Sequence, residues 1–179
     1  MPSPVLPLLP VLALDTATEN IAVGLWRDGP AGAAAFTLNA PGGALASTQL
    51  LPLLHTLLQR AGIHWQDIGA IAYGQGPGAF TGLRTACSVA QGLGFGIGCR
   101  LLPLDSLMIV AEDARIQVDL QVDLQADLQV DLQAGPLANS PASGEVAVAM
   151  DARMDEAYAA RYRWQAGDRK STRLNSSHG

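Results

Sequence analysis

Three apolar runs separated by turn residues open the chain and predict short strands. They cover residues 11–17, 21–26 and 33–38. The segment Arg27-Asp28-Gly29-Pro30, between the second and third runs, is typical of a tight turn. Consecutive short strands joined by tight turns favour an antiparallel meander.

Helical and strand-like patterns then alternate. Leucines at helical spacing predict a helix over 47–60, with Ser47 or Thr48 as its cap and Gly62 at its end. A strand, a helix, a strand and a third helix follow at 68–73, 82–95, 101–104 and 106–113. The order β-β-β-α-β-α-β-α predicts an α/β fold with a mixed sheet and flanking helices.

The segment from Gly74 to Arg84, GQGPGAFTGLR, is the most informative part of the chain. Four glycines and a proline fall between a predicted strand and a predicted helix. Amide groups and the helix dipole converge at such a junction, which makes it a natural anion cradle. A tight connection without a ligand fits the spacing equally well. Neither a Walker A loop nor a GxGxxG fingerprint is present.

Four alternate glycines mark the end of the second predicted helix and the residues that follow: Gly92, Gly94, Gly96 and Gly98. A glycine inside a helix costs about 1 kcal/mol relative to alanine. Small residues also allow another helix to approach closely. The pattern therefore predicts a packed interface, either within the chain or between subunits.

Residues Gln117 to Gln133 form a tandem repeat, QVDL-QVDL-QADL-QVDL-Q. On a strand, valine and leucine share one face; on a helix they lie on opposite sides, and the aspartates repel at i, i+4. Strand alternation fits better, and we expect a weakly structured surface insertion. A calcium-binding repeat is the alternative, although glycine turns that would gather the carboxylates are missing.

Composition narrows the classes of function. The net charge is −5, but without the four aspartates of the repeat it would be −1, so no global attraction to nucleic acid is expected. Cys87 and Cys99 lack metal-ligand spacing and predict buried thiols in a reducing compartment. Residues 1–10 are apolar but contain four prolines, which argues against a signal peptide or a membrane span and for the cytoplasm.

Catalytic and metal-binding patterns are not found in the sequence. His55, His64 and His178 are scattered and form no HxxxH or HExxH pair. Cys87 and Ser88 have no neighbouring base in the sequence. We therefore expect no catalytic residue and no metal ligand.

Asp15 is the most interesting carboxylate because it ends the first predicted strand. It could hold a metal–nucleotide, or it could cap the turn together with Thr16 or Thr18. Arg84 could bind an anion or a partner's carboxylate, or simply lie on a helix surface. The weak candidates for nucleotide binding are Asp15, Thr16, Gly76 and Gly78.

Several segments, taken in order, closely resemble the TsaB family, bacterial subunits involved in threonylcarbamoyl modification of tRNA. They are Val11-Leu-Ala-Leu-Asp-Thr-Ala-Thr18, Gln49-Leu-Leu-Pro-Leu53, the stretch from Ala70 to Arg84, Gln91-Gly-Leu93 and the stretch from Met150 to Tyr158. The resemblance covers roughly residues 10–115 and 145–164. One departure is Ala46, which stands where family members often carry a histidine.

The resemblance implies an actin-like, ribonuclease-H-like fold with two lobes and a non-catalytic role. A TsaD-type subunit would carry the metal and transfer the threonylcarbamoyl group to the adenosine beside the anticodon. A TsaE-type ATPase would join, and tRNA would be reached only through the complex. No cofactor of its own is implied, with ATP or ADP possible at the level of the complex. An ATP-hydrolysing actin-like protein and a glycoprotease-type peptidase are the alternatives.

The resemblance also implies that one helical face serves the TsaD-type partner and a homodimer. The residues assigned to that face are Leu50, Leu54, Leu57, Arg84, Ala86, Ala90 and Leu93.

The expected domain organisation has five parts. They are an N-terminal extension at 1–10, a first lobe at 11–116, the repeat and a linker at 117–144, the start of a truncated second lobe at 145–167, and a tail at 168–179. The tail holds the chain's single lysine, Lys170, and looks like a translated sequencing adaptor, so we expect it to be non-native.

Overall fold

A five-stranded sheet forms the centre of the first of two units, Met1–Asp105 and Ser106–Gly179. These units come from a computed structural model that describes residues 9–28, 32–129, 143–153, 156–165 and 172–178. The strands of the first unit are β1 (Val11–Asp15), β2 (Asn20–Arg27), β3 (Ala34–Pro41), β4 (Ala70–Gly76) and β5 (Arg100–Asp105).

The strand order in this sheet is β3-β2-β1-β4-β5. Strands β1, β2 and β3 pair antiparallel, whereas β4 pairs parallel to both β1 and β5. The predicted meander and the predicted mixed sheet are both confirmed. Strand β4 extends beyond its predicted end and carries the first residues of the glycine-rich segment through Gly76.

Two helices, α1 (Ala46–Ala61) and α2 (Phe80–Ile97), connect these strands. Helix α1 continues directly from a short 3-10 helix, and its N-cap is Leu45 without a side-chain hydrogen bond. The predicted cap at Ser47 or Thr48 is therefore wrong. The Thr48 hydroxyl donates to the Leu45 carbonyl at 3.0 Å from inside the first turn, so it does not receive a backbone N–H as a cap would. Gly62 ends the helix in the left-handed region, as predicted.

The core of the first unit lies between α1 and the sheet. Leu50, Leu54 and Leu57 of α1 pack in one cluster with Leu12 and Leu14 of β1, and each is at most 2% exposed. Burying one leucine side chain contributes about 1.5–3 kcal/mol. This cluster therefore holds the meander and α1 together.

The second unit contains α3 (Ser106–Gln129) and the strands β6 (Ser143–Arg153), β7 (Glu156–Gln165) and β8 (Thr172–His178). The strands pair antiparallel in the order β6-β7-β8. Leu107 and Ala111 of α3 pack with Val148, Ala160 and Tyr162 of the sheet. These contacts place α3 in the second unit, and the predicted lobe boundaries stay predictions.

Helix α3 overturns the prediction for the repeat. It runs through Gln129, past the predicted end near residue 113, so Gln117–Gln129 is neither weakly structured nor a strand. Once the first turns are packed, each further residue adds a hydrogen bond without a new nucleation cost, and leucine and glutamine are good helix formers. Residues 130–133 of the repeat lie outside the described residues.

The predicted non-native tail contains β8, which pairs antiparallel with β7. The native or foreign origin of residues 168–179 stays a prediction. Among the described helices, none combines the length and hydropathy needed to cross a bilayer.

Candidate functional site

The first turn of α2 is tied to the turn that follows β1. The Thr16 side chain is buried, and its hydroxyl donates to the Gly82 carbonyl at 2.7 Å. The backbone N–H of Ala79 donates to the Ala17 carbonyl at 2.8 Å. Two segments more than sixty residues apart in the chain are thereby held in backbone contact.

Glycines make this contact possible. A Cβ added to Gly82 would lie 1.8 Å from the Thr16 carbonyl oxygen, and one added to Gly78 would lie 2.6 Å from the Ala17 Cβ. Gly76 has a φ of 106°, where side chains are strained. The tight connection without a ligand accounts for these three glycines, whereas anion binding by the segment stays a prediction.

Asp15 takes part in the same corner. Its Oδ1 accepts a hydrogen bond from the Ala17 N–H at 2.7 Å, and the Thr18 hydroxyl oxygen accepts one from the Asn20 N–H at 3.2 Å. Both contacts are those of residues that stabilise a turn. Burial raises the pKa of Asp15, although the Ala17 hydrogen bond favours the ionised form. Nucleotide binding by Asp15 and Thr16 stays a prediction.

Because burial raises the pKa of Asp15, its carboxyl group stays protonated to a higher pH in the folded chain than in the unfolded chain. The contribution of Asp15 to stability is full below the unfolded pKa and is lost as the pH rises through the folded pKa. Asp15→Asn removes the charge and keeps an oxygen for the Ala17 N–H. We expect an unchanged or higher melting temperature at pH 7 and a flatter dependence on pH above about pH 4.

The matched control for that prediction is Glu19→Gln, which changes an exposed acid near the same turn. Calorimetric melting curves across the pH range compare the two variants. A melting temperature at pH 7 that falls in Asp15→Asn and not in Glu19→Gln would contradict the assigned cost of burial.

The exposed side of α2 carries two aromatic residues and a row of small ones. Phe80 and Phe95 are 72% and 94% exposed. The Arg84 guanidinium lies over the Phe80 ring, 5.3 Å from its centroid. We call this surface the outer face of α2; its residues are Phe80, Arg84, Ser88, Gly92, Phe95 and Gly96. The outer face of α2 thus leaves two large apolar rings in contact with solvent.

Most of the residues predicted for the partner interface face the other way. Leu50, Leu54, Leu57, Ala86 and Ala90 are all at most 1% exposed and belong to the core of the first unit. A side chain without accessible surface cannot contact a partner, so this part of the prediction is wrong. Arg84 is exposed and Leu93 is half-buried, and their place in an interface stays a prediction.

The exposed apolar residues that sequence reasoning did not single out are Phe80, Phe95 and, on α1, Leu51, which is 46% exposed. A signal for the outer face was present in the sequence. Phe80, Arg84 and Ser88 are spaced by four and Phe95 follows Ser88 by seven, so all four share one face of α2, opposite the small residues at 82, 86, 90 and 94.

In the part of the chain that the structure describes, no group of three or more potential metal ligands occurs. His55 is exposed and lies 3.0 Å from the Gln59 amide nitrogen, and His64 is exposed at the start of a short 3-10 helix. Cys87 and Cys99 are free thiols, half-buried where burial was predicted, and burial raises the pKa of the Cys99 thiol.

An antiparallel meander, followed by two parallel strands each reached through a helix, with strand order β3-β2-β1-β4-β5, defines the actin-like, ribonuclease-H-like class of α/β proteins. The structure of YeaZ from Pseudomonas aeruginosa superposes with a TM-score of 0.72 at 32% identity, covering 96% of this chain and 67% of that one. The chain belongs to the TsaB (YeaZ) family.

Other relatives agree with this assignment. The tRNA threonylcarbamoyladenosine biosynthesis protein TsaB of Escherichia coli K12 is 38% identical over 107 residues, 58% of this chain and 43% of that protein. TsaB of Haemophilus influenzae is 34% identical over 106 residues, 59% of this chain and 43% of that protein. The family model described as TsaD, tRNA N6-adenosine threonylcarbamoyltransferase, matches residues 45–125. The chain thus spans less than half the length of these two TsaB proteins.

Proposed function

We propose that this chain is a non-catalytic subunit of the system that adds a threonylcarbamoyl group to N6 of the adenosine beside the tRNA anticodon. It positions a TsaD-type catalytic subunit through the outer face of α2. The single observation that carries this proposal is that face, which combines two highly exposed aromatic rings with an arginine stacked on one of them.

The family relationships support the choice of process and partner. Relatives of this chain are named for tRNA threonylcarbamoyladenosine biosynthesis. The stretch similar to the TsaD-type transferase, residues 45–125, includes all of α1 and α2. Phenylalanine and arginine are both enriched in the cores of protein interfaces.

The contacts at the end of β1 support a non-catalytic role. Asp15 accepts the Ala17 N–H and Thr16 donates to the Gly82 carbonyl, so both polar groups are engaged in holding the fold. Rearranging either group for chemistry would break a contact that fixes the start of α2. Bond-making is therefore assigned to the TsaD-type subunit.

The remaining partners follow from the same proposal. A TsaE-type ATPase joins the complex, tRNA is reached only through the complex, and any ATP or ADP is bound at that level. The outer face of α2 also serves a homodimer. The chain works in the cytoplasm, where tRNA is modified.

Titration of a TsaD-type subunit with this chain, with and without ATP, tests the proposal. We expect a complex whose dissociation constant rises at least about tenfold in Phe95→Ala, because truncating an anchor residue costs about 1.4 kcal/mol or more. Arg84→Ala is also expected to raise the dissociation constant. It removes the guanidinium that lies over the Phe80 ring, so the ring is no longer held in place for the partner. Isothermal titration calorimetry measures both.

The matched control is Phe36→Ala, which removes a phenylalanine packed against the core rather than one on the outer face. It is expected to lower stability and leave affinity within about threefold, since it touches no interface residue. Absence of a complex with the unaltered chain, or equal affinity for the unaltered chain and Phe95→Ala, would refute the role of the outer face.

A further inference from the structure

The C-terminal end of α1 and the residues that follow it enclose a cavity of about 510 Å³. This volume lies within the range of pockets that hold small molecules. The cavity is lined by three polar residues and three larger apolar ones: His55, Gln59 and His64, and Leu58, Ile63 and Trp65. All of them belong to the first unit, and none belongs to the outer face of α2.

Hydrogen bonds fix the backbone at the end of α1, where the cavity begins. Gly62 ends the helix in the left-handed region, and its N–H donates to the Gln59 carbonyl at 3.2 Å. The Ile63 N–H donates to the Leu58 carbonyl at 3.1 Å, which completes a Schellman motif. The chain therefore leaves the helix in one defined direction.

A second pair of hydrogen bonds fixes the turn that follows. The His64 N–H donates to Oδ2 of Asp67 at 2.9 Å, and the Asp67 N–H donates to the His64 carbonyl at 3.0 Å. The backbone on both sides of the cavity is thus held by contacts within the chain. A ligand would not have to order these segments, so little of its binding free energy would be lost to conformational entropy.

The cavity has an apolar floor that includes an aromatic ring. Leu58 is 2% exposed, and Ile63 and Trp65 are half-buried and pack against the core of the first unit. The side chain of Trp65 thus contacts both the core and the cavity. An indole on a cavity wall favours a flat aromatic ligand, because stacked rings gain more than the burial of apolar area alone.

The rim of the cavity is polar. His55, Gln59 and His64 are exposed, and Nε2 of His55 lies 3.0 Å from the Gln59 amide nitrogen. This contact uses one N–H of the amide, whose second N–H and oxygen can bind a ligand. Among the described residues that line the cavity, none is an acid, a lysine or an arginine. An ionised ligand would lose hydration here without gaining an ion pair, so the lining favours a neutral one.

We propose that this cavity binds a small, neutral, flat heteroaromatic molecule, with its ring against Trp65 and its polar edge toward Gln59 and the two histidines. The ring provides a stacking partner for the indole. Donor and acceptor atoms on its edge match the amide and imidazole groups of the rim. The site goes beyond the proposed function, because it takes a small molecule and uses no residue of the outer face of α2.

Three matched probes test the ligand class at mildly alkaline pH. Nicotinamide is a neutral, flat heteroaromatic carboxamide. Cyclohexanecarboxamide carries the same amide on a saturated ring, and nicotinate carries a carboxylate on the same aromatic ring as nicotinamide. The indole N–H signal of Trp65 in the NMR spectrum of the isotope-labelled chain reports binding at the cavity, and Trp65→Phe identifies that signal.

We expect nicotinamide to bind with a dissociation constant on the order of 1 mM, an ordinary value for so small a ligand. The other two probes are each expected to bind at least about fivefold more weakly, because one cannot stack and the other carries an unpaired charge. A Trp65 signal that does not move with nicotinamide would overturn the proposal. So would equal affinity for nicotinamide and either of the other probes.

A matched pair of variants tests the position of the site. Gln59→Leu removes the amide from an exposed helix position and is expected to raise the dissociation constant of nicotinamide about three- to tenfold, the net worth of one hydrogen bond or two. Gln66→Leu makes the same change at an exposed residue beside Trp65 that does not line the cavity, and is expected to stay within about twofold. Equal effects of the two variants would refute the site. Neither measurement uses a TsaD-type subunit, so the cavity and the proposed function are tested separately.

Discussion

Gly82→Ala is expected to lower the free energy of unfolding of the first unit by about 3 kcal/mol or more. The new Cβ would lie 1.8 Å from the Thr16 carbonyl oxygen, which belongs to the backbone and cannot rotate away. Forcing extra volume into a packed contact costs about 1–3 kcal/mol and sometimes more. The shift would also strain the hydrogen bond from Thr16 to Gly82. Urea unfolding followed by the fluorescence of Trp26 and Trp65 measures the loss.

Replacing a second glycine of α2 by alanine is the matched control. Gly92→Ala adds a Cβ in open space and is expected to stabilise the chain by about 0.5–1 kcal/mol, since alanine favours the helix. The two variants thus move stability in opposite directions. Similar effects of both would show that helix propensity, and not the contact with Thr16, sets the response at Gly82.

Leu54→Ala is expected to cost about 2–5 kcal/mol of stability, the range for a leucine truncated inside a core. Leu54 is fully buried in the cluster formed by α1 and the sheet. The loss combines the transfer of the removed methyl groups to water with the cavity left behind. Chemical denaturation of the variant and the unaltered chain measures it.

Leu51→Ala is the matched control on the same helix. Leu51 is 46% exposed, so its truncation is expected to change stability by about 0.5 kcal/mol or less. A Leu54→Ala variant that keeps its stability but no longer binds a TsaD-type subunit would restore Leu54 to the interface and contradict its place in the core.

Helical spacing in the sequence located α1 correctly but did not tell which role its leucines play. The same leucines predicted the helix and were assigned to a partner, whereas the structure buries them in the core cluster that includes residues of β1 and β2. An apolar stripe must be covered, but its pattern is the same whether the chain's own sheet or another protein covers it. The assignment needed the position of the sheet relative to the helix.

For the glycine-rich segment, too, the sequence predicted the elements but not the role of a particular residue. Its composition predicted a strand, a turn and a helix, and the structure confirms them in β4 and α2. The reason for Gly82 was not visible, because the carbonyl that it accommodates belongs to Thr16, far away in the chain. A bound ligand and a distant backbone segment both need the space that a side chain would fill, so either one can require a glycine.

The prediction for the repeat was wrong for a different reason. Its period of four matched neither a helix nor a strand well. The prediction rested on the alternation within the repeat and not on the helix that precedes it. The structure extends α3 through the repeat as far as Gln129. Propagation from turns that are already packed is a cooperative effect, which a four-residue pattern taken alone does not contain.

The sequence by itself determined the order of the elements, the mixed sheet of the first unit, and the family, because periodicity and motif order are local properties of the chain. Only the tertiary structure decided which side of each helix is buried and which glycines make room for a neighbour. It also revealed the outer face of α2, with Phe80 and Phe95 exposed to solvent. Those decisions depend on contacts between segments distant in the chain, whose burial free energy and steric limits exist only once the sheet has assembled.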